Sequence, residues 1–199
     1  MEEEKKALDE LIFIKKIMQD SQKIVVDNGM GYIVWGLIVT FGMLFGYVKF
    51  LLKLQFDFMW AWIVLIGAGW VFSFFKYYKS NNSKVETFAG RILGRLWFSF
   101  GVGMTILGFG GYYSGAIKGE YVSSVIAILL GCAYYLTSVL YEWKLFKIVG
   151  VMWWIGGIVM FYVFDITQLL IMAFLMIFGQ VIPGIICYRK YKTQFSDEQ

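Results

Sequence analysis

Residues Gly29 to Tyr47 read GMGYIVWGLIVTFGMLFGY: nineteen residues without a charge, five of them glycine. At ~1.5 Å rise per residue, a helix of that length covers roughly 30 Å, the hydrocarbon thickness of a bilayer. It is too long and too apolar to be the buried helix of a water-soluble domain. Five further apolar runs follow it, so the solvent implied for most of the chain is lipid.

Working outward, the runs are residues 29–48, 58–75, 96–117, 121–141, 148–164 and 166–188. Each is long enough to span as a helix, the fifth being close to the lower limit. Strands of a membrane barrel would be about half as long and would alternate with period two, which these runs do not do. The composition agrees. The chain is 59% apolar and 16% charged, against roughly 45–50% and 25% in soluble domains. Its aromatic share of 20% suits rings held at membrane interfaces. The expected fold is therefore an all-α integral membrane protein.

Residues 1–28 form a different unit. At 100° per residue, Leu11, Phe13, Ile14, Ile17, Met18, Ile24 and Val25 share one face, while Lys5, Asp9, Lys15, Lys16, Gln19 and Asp20 share the other. This predicts an amphipathic helix ending at Asn28-Gly29. Its charges are mixed in sign, which favours docking on the protein's own loops or a partner over anchoring on anionic lipid. The opening MEEEKKALDE is not a signal peptide, so the first span is expected to serve as the insertion signal.

Fifteen of the eighteen Lys and Arg residues fall before the first run, between the second and third, between the fourth and fifth, or after the sixth. Only Lys49, Lys53 and Lys118 fall in the alternate loops. The positive-inside rule then places both termini and the 189–199 tail in the cytoplasm. It also explains the net charge of +4 without nucleic acid as a partner.

The first run repeats. A shift of 65 carries Gly29, Gly36, Thr40, Gly46 and Tyr47 onto Gly94, Gly101, Thr105, Gly111 and Tyr112. A shift of 121 carries Gly29 and Gly36 onto Gly150 and Gly157. Mid-run glycines 67, 131 and 179 recur in the even runs. The pattern predicts six spans arranged as three tandem helical hairpins, parallel copies about an axis along the membrane normal. Gly36, Gly46, Gly101, Gly111 and Gly157 are the expected helix-packing positions, because small residues replace the missing hydrophobic drive in lipid. The GxxxG segments Gly42–Gly46 and Gly111–Gly115 leave homo-oligomerisation open.

Chemistry is scarce. The chain has no histidine, so His-ligated haem, His-containing zinc sites and Ser-His-Asp catalysis are excluded. No ionisable residue lies in the middle of a run; Asp57, Glu120, Glu142 and Asp165 stand at run ends as caps or loop charges. Cys132 and Cys187 form no CxxC and read as packing thiols. No phosphate-cradling motif occurs. The expectation is a non-enzyme with no cofactor, no metal and no catalytic residue. Gln180 is the strongest polar feature, since an amide cannot satisfy itself within its own helix. Three residues later stands Pro183, the only proline, which breaks the backbone ladder. Gln180, Pro183, Tyr134 and Ser138 are the candidate cavity or gate residues.

The segment Ile14-Lys-Lys-Ile-Met18-Gln-Asp-Ser21, followed by Gly29-Met-Gly31, resembles the opening of a group of small six-span inner-membrane proteins of Bacteroidota. The resemblance covers about the first fifth of the chain and the six-span layout. It implies a bacterial inner-membrane location and lends no catalytic residue. Genes of that group often neighbour small winged-helix regulators, which implies a regulatory role. Two functions are expected. The first is a regulatory or scaffolding module whose residues 2–27 and 76–95 loop engage a partner. The alternative is a small transporter or channel for a neutral or amphipathic solute.

Overall fold

The computed structural model describes residues 6, 9–13, 29–81 and 88–196. The predicted amphipathic helix of residues 2–27 lies outside the described residues except at 6 and 9–13, which are helical and exposed. The end of the tail beyond residue 196 also lies outside them. Among the described residues there is no strand. The long helices are α1 (Met30–Leu51), α2 (Met59–Asn81), α3 (Phe88–Thr105, continuing through a π turn at Ile106–Gly111), α4 (Gly119–Tyr141), α5 (Lys144–Met160) and α6. The last is built from Thr167–Met176, a π turn at Ile177–Val181, and Ile182–Ser196.

Five of these helices are long and apolar enough to cross a membrane: Met30–Leu51, Met59–Tyr78, Gly90–Gly111, Gly119–Tyr141 and Thr167–Thr193. The remaining helix, α5, has 17 residues. It begins four residues before the apolar run and ends at Met160, leaving residues 161–166 outside the helix. The reason is a side chain. Gln168 Nε2 donates to the carbonyls of Met160 (3.0 Å), Val163 (3.2 Å) and Glu120 (2.7 Å). One buried amide therefore ties the end of α5, whose last carbonyls lack a helical partner, to the turn after it and to the start of α4.

The centre of the bundle is formed by α1, α4, α5 and α6. Its tightest seam is between α4 and α5, which join the second predicted hairpin to the third, and α1 lies along α6. Half of the apolar window of α4 and of α6 is buried, but only 6% of that of α2 and of α3. These two lean on the outside, α2 against α1 and α3 against α4. Glycines set the close approaches. A Cβ on Gly150 would stand 3.0 Å from Gly131 O and 3.0 Å from Tyr135 N. Gly29 has φ 68°, and a Cβ there would run into the carbonyl of Gly184. That contact fastens the start of α1 to the end of α6.

Tryptophan indoles tie consecutive helices. Trp35 Nε1 donates to Ser73 Oγ (2.9 Å), Trp70 Nε1 to Thr105 Oγ1 (3.2 Å) and Trp97 Nε1 to Thr137 Oγ1 (3.2 Å). Each hydroxyl in turn donates to the carbonyl four residues back, Gly69, Gly101 and Ala133. The hydroxyl needs nothing else, so the pair is complete without water. These bonds link α1 to α2, α2 to α3 and α3 to α4. Trp70 is also the visible bridge between α2 and α3, meeting Phe98 edge-on at 5.7 Å. Trp70→Phe keeps the ring and removes the donor. It is expected to lower stability by about 0.6 kcal/mol, with about 1.7 kcal/mol as a ceiling for such bonds in membranes. Unfolding of the purified protein in mixed detergent micelles measures it.

At the loop end two aspartates start helices in the same way. Asp57 Oδ1 accepts from Met59 N (2.9 Å), and Asp165 Oδ1 from Thr167 N (2.8 Å). The Thr167 side chain, with its backbone N–H, holds the exposed Asp165 carboxyl below its ordinary value. Both carboxylates act as caps at a run end.

Candidate functional site

Between the central helices and the two outer ones lies a cavity of about 1880 Å³. It is larger than the ~300–1,000 Å³ usual for drug-sized ligands. Its walls come from α1, α2, α3, α4 and α6, and are mostly apolar, including Trp35, Val39, Met43, Trp62, Trp97, Met104, Met172 and Met176. Along α1 the lining runs from Gly31 to Phe50, about 28 Å of helix, or the thickness of the hydrocarbon layer. The cavity exists because α2 and α3 meet chiefly through Trp70, while Gly67, Gly94 and Gly103 stand clear of any neighbour. A Cβ on Gly94, which lines the space, would meet nothing within 4 Å.

The two ends differ in charge. At the end where α1 begins, the lining includes Lys76, Arg91 and Arg95, with Tyr77 and Tyr191. Lys76 reaches across to α1, its Nζ 3.4 Å from where a Gly31 Cβ would stand. Arg91 and Arg95 are one turn apart on the same face of α3. At the loop end the lining holds Lys49, Lys53 and Asp57, and Lys49 Nζ lies 5.2 Å from the centre of the Phe56 ring.

Of the four residues singled out in the sequence, Gln180 reaches the cavity. It is 5% exposed, and its Oε1 is buried without a hydrogen-bond partner. The contrast with Gln168 on the same helix is informative, because the Nε2 of that amide is hydrogen-bonded to three carbonyls. An unpaired amide oxygen is costly in hydrocarbon. The terminal torsion of glutamine is soft, so the amide can turn to meet a group in the cavity.

The π turn explains why Gln180 stands there. Pro183 has no N–H to offer the carbonyl of Gly179, four residues back. That carbonyl instead accepts Trp153 Nε1 at 3.3 Å. The backbone widens over Ile177–Val181, and Gln180 sits inside the widened turn. Such single turns recur at functional sites. The second π turn, Ile106–Gly111, also contributes to the wall through Gly108 and Phe109.

No protein-family model, curated protein or solved structure matches this chain. The site must therefore be read from its own geometry.

Tyr134 and Ser138 stand away from the cavity. Tyr134 is fully buried in an aromatic cluster with Trp97 (5.0 Å), Tyr32 (5.8 Å) and Phe146 (5.9 Å). Ser138 Oγ donates to the Tyr135 carbonyl at 2.6 Å. Pro183 is fully buried and shapes the turn without lining the space. The packing glycines divide as well. Gly36 seats Val181 and Gln180, Gly46 seats Phe58, Gly101 faces Trp70 and Gly157 faces Ile128 and the Ser124 carbonyl. Gly111 meets Ile117 of its own following loop, not another long helix. The cationic lining residues were legible only as topology signals, since no local pattern says which of them turn inward. Cys132 and Cys187 form no disulfide, and the described residues contain no group of His, Cys, Asp or Glu suited to a metal ion.

Proposed function

We propose that this chain is a non-enzymatic, six-span membrane protein that holds an elongated amphipathic molecule in the cavity between its central and outer helices. The observation that carries the reading is the cavity itself. It is apolar along a full hydrocarbon thickness, charged at both ends, and interrupted by one unpaired amide. A scaffold with a dry core has no use for such a space, so the geometry favours the solute-handling alternative over a pure docking module. In this reading, a regulatory role is the bundle's response to what it holds, passed to a partner at residues 2–27 and the 76–95 segment, whose described residues are the end of α2 and the start of α3.

The membrane in question is a bacterial inner membrane, with both termini cytoplasmic and six helices in three tandem hairpins. Counting α5 as a span supports this topology. Without it, Arg189, Lys190 and Lys192 would lie on the side opposite the basic N-terminal segment. At 17 residues, α5 is within the ~17–25 range of spanning helices. The chemistry the site lacks, with no histidine and no central carboxylate, supports binding or carriage over catalysis.

Gentle extraction of the full chain followed by native mass spectrometry tests the reading. Adducts of lipid-like mass are expected on the wild-type chain and are expected to be absent when Trp replaces Gly94. A wild-type chain without adducts overturns it.

A further inference from the structure

We infer that the molecule in the cavity is an anionic phospholipid, seated with its phosphate at Lys76, Arg91 and Arg95 and its ester linkage beside Gln180. The inference rests on the cavity reading above and adds the chemistry and direction of the ligand.

Three observations carry it. The first is the sign of the charge at the two ends. Among the described residues, three cations and no carboxylate line the end where α1 begins, whereas at the loop end Asp57 stands beside two lysines. The Arg91 and Arg95 guanidinium groups make no hydrogen bond or ion pair with the described residues. Guanidinium groups with no partner among the described residues, at the mouth of an apolar space, match a phosphate, which they grip through paired N–H donors.

The second is depth. Gly31 marks the level of Lys76, and Gly36 marks the level of Gln180. Five residues of helix separate them, about 7.5 Å along the axis. A neutral polar group that far beneath a phosphate is the place for a glycerol ester, an acceptor that the Nε2 donors of the Gln180 amide meet when its soft terminal torsion turns. The third is what lies beyond. From Val39 to Gly46 the α1 wall faces an aromatic and aliphatic lining that includes Trp62, Met104, Met172 and Met176, as acyl chains require, before Lys49 at the loop end. Head, linkage and tail thus find matching walls in order.

The test uses the purified full chain, stripped of lipid and titrated with phosphatidylglycerol or with phosphatidylcholine of the same acyl chains, occupancy being read by native mass spectrometry. The wild-type chain is expected to prefer phosphatidylglycerol. Each surface cation contributes about fivefold to binding of an anionic lipid, so Arg91→Gln with Arg95→Gln is expected to weaken phosphatidylglycerol binding about 25-fold and phosphatidylcholine binding less, because the choline cation already offsets that phosphate's charge. The control removes two cations that do not line the cavity, Arg189→Gln with Lys190→Gln, and is expected to keep the preference. Equal binding of the two lipids by the wild-type chain overturns the headgroup assignment and leaves the cavity reading standing. Equal loss in the control pair does the same. Lipid binding that survives Gly94→Trp unchanged overturns both, as does a dimer mass that appears in place of lipid, which would make a second copy the occupant.

Discussion

Gly150→Leu is expected to leave little folded protein. Position 150 lies on the α4–α5 seam, and its neighbours are main chain: Gly131 O and Tyr135 N, each 3.0 Å from a Cβ, and Tyr135 Cα at 3.3 Å. A flexible side chain can swing aside, but a helix backbone cannot. A Cβ alone forces the helices apart, and Leu adds three more carbons. Overpacking of this kind costs about 1–3 kcal/mol where the neighbours can move, and more where they are backbone. In lipid no hydrophobic drive holds the pair together while it adjusts, because the seam is held by dispersion contacts that fall off steeply with distance. The expected loss is at least about 3 kcal/mol out of a total of roughly 5–15 kcal/mol. Fluorescence-detected gel filtration of the extracted protein after a temperature ramp measures it. Gly67→Leu is the matched comparison, since a Cβ there meets nothing within 4 Å, and it is expected to melt with the wild type. A Gly150→Leu protein as stable as wild type would contradict the close α4–α5 crossing.

Gly94→Trp is expected to empty the cavity while preserving the fold. The residue lies in the interior of α3 and lines the space, with open volume where its side chain would be. Gly94→Ala should therefore be neutral or stabilising by about 0.5–1 kcal/mol, the usual gain on replacing an interior helical glycine. Trp has room to project into the cavity and displaces whatever occupies it. Bound lipid is expected to fall at least about tenfold, equivalent to about 1.4 kcal/mol, with melting unchanged. Gly103→Trp supplies the control on the same helix: its Cβ is also free of neighbours, and the residue does not line the cavity. Bound lipid retained at the wild-type level in Gly94→Trp would contradict the assignment. So would equal loss in Gly103→Trp, because the effect would then come from bulk on α3 and not from the cavity.

The apolar runs were readable because the length of a lipid-crossing helix is dictated by bilayer thickness, a constraint independent of tertiary contacts. The early end of α5 was not readable, because it depends on Gln168 reaching three carbonyls, one of them 48 residues away. Gln180 and Pro183 stood out from residue chemistry alone, yet the π turn needed Trp153 to take the carbonyl that Pro183 leaves unpaired. The mid-run glycines illustrate the limit. Gly67, Gly131 and Gly179 look equivalent in the chain, but a Cβ would meet nothing at the first, Trp154 at the second, and Met152 and Trp153 at the third. One regularity runs through three helices. Ser73, Thr105 and Thr137 stand thirty-two residues apart, each four residues after Gly or Ala, and each accepts an indole N–H from the preceding helix. The cavity itself could not be read, since it depends on which helices fail to touch.

The most direct test of the central claim is an experimental density map of the full chain in lipid nanodiscs containing phosphatidylglycerol. The account predicts elongated density between α1, α2 and α3, with its wider end at Lys76, Arg91 and Arg95 and its stem passing Gln180. A map in which α2 and α3 close onto α1 and α4, with Gln180 paired to protein and no space between the helices, would contradict it.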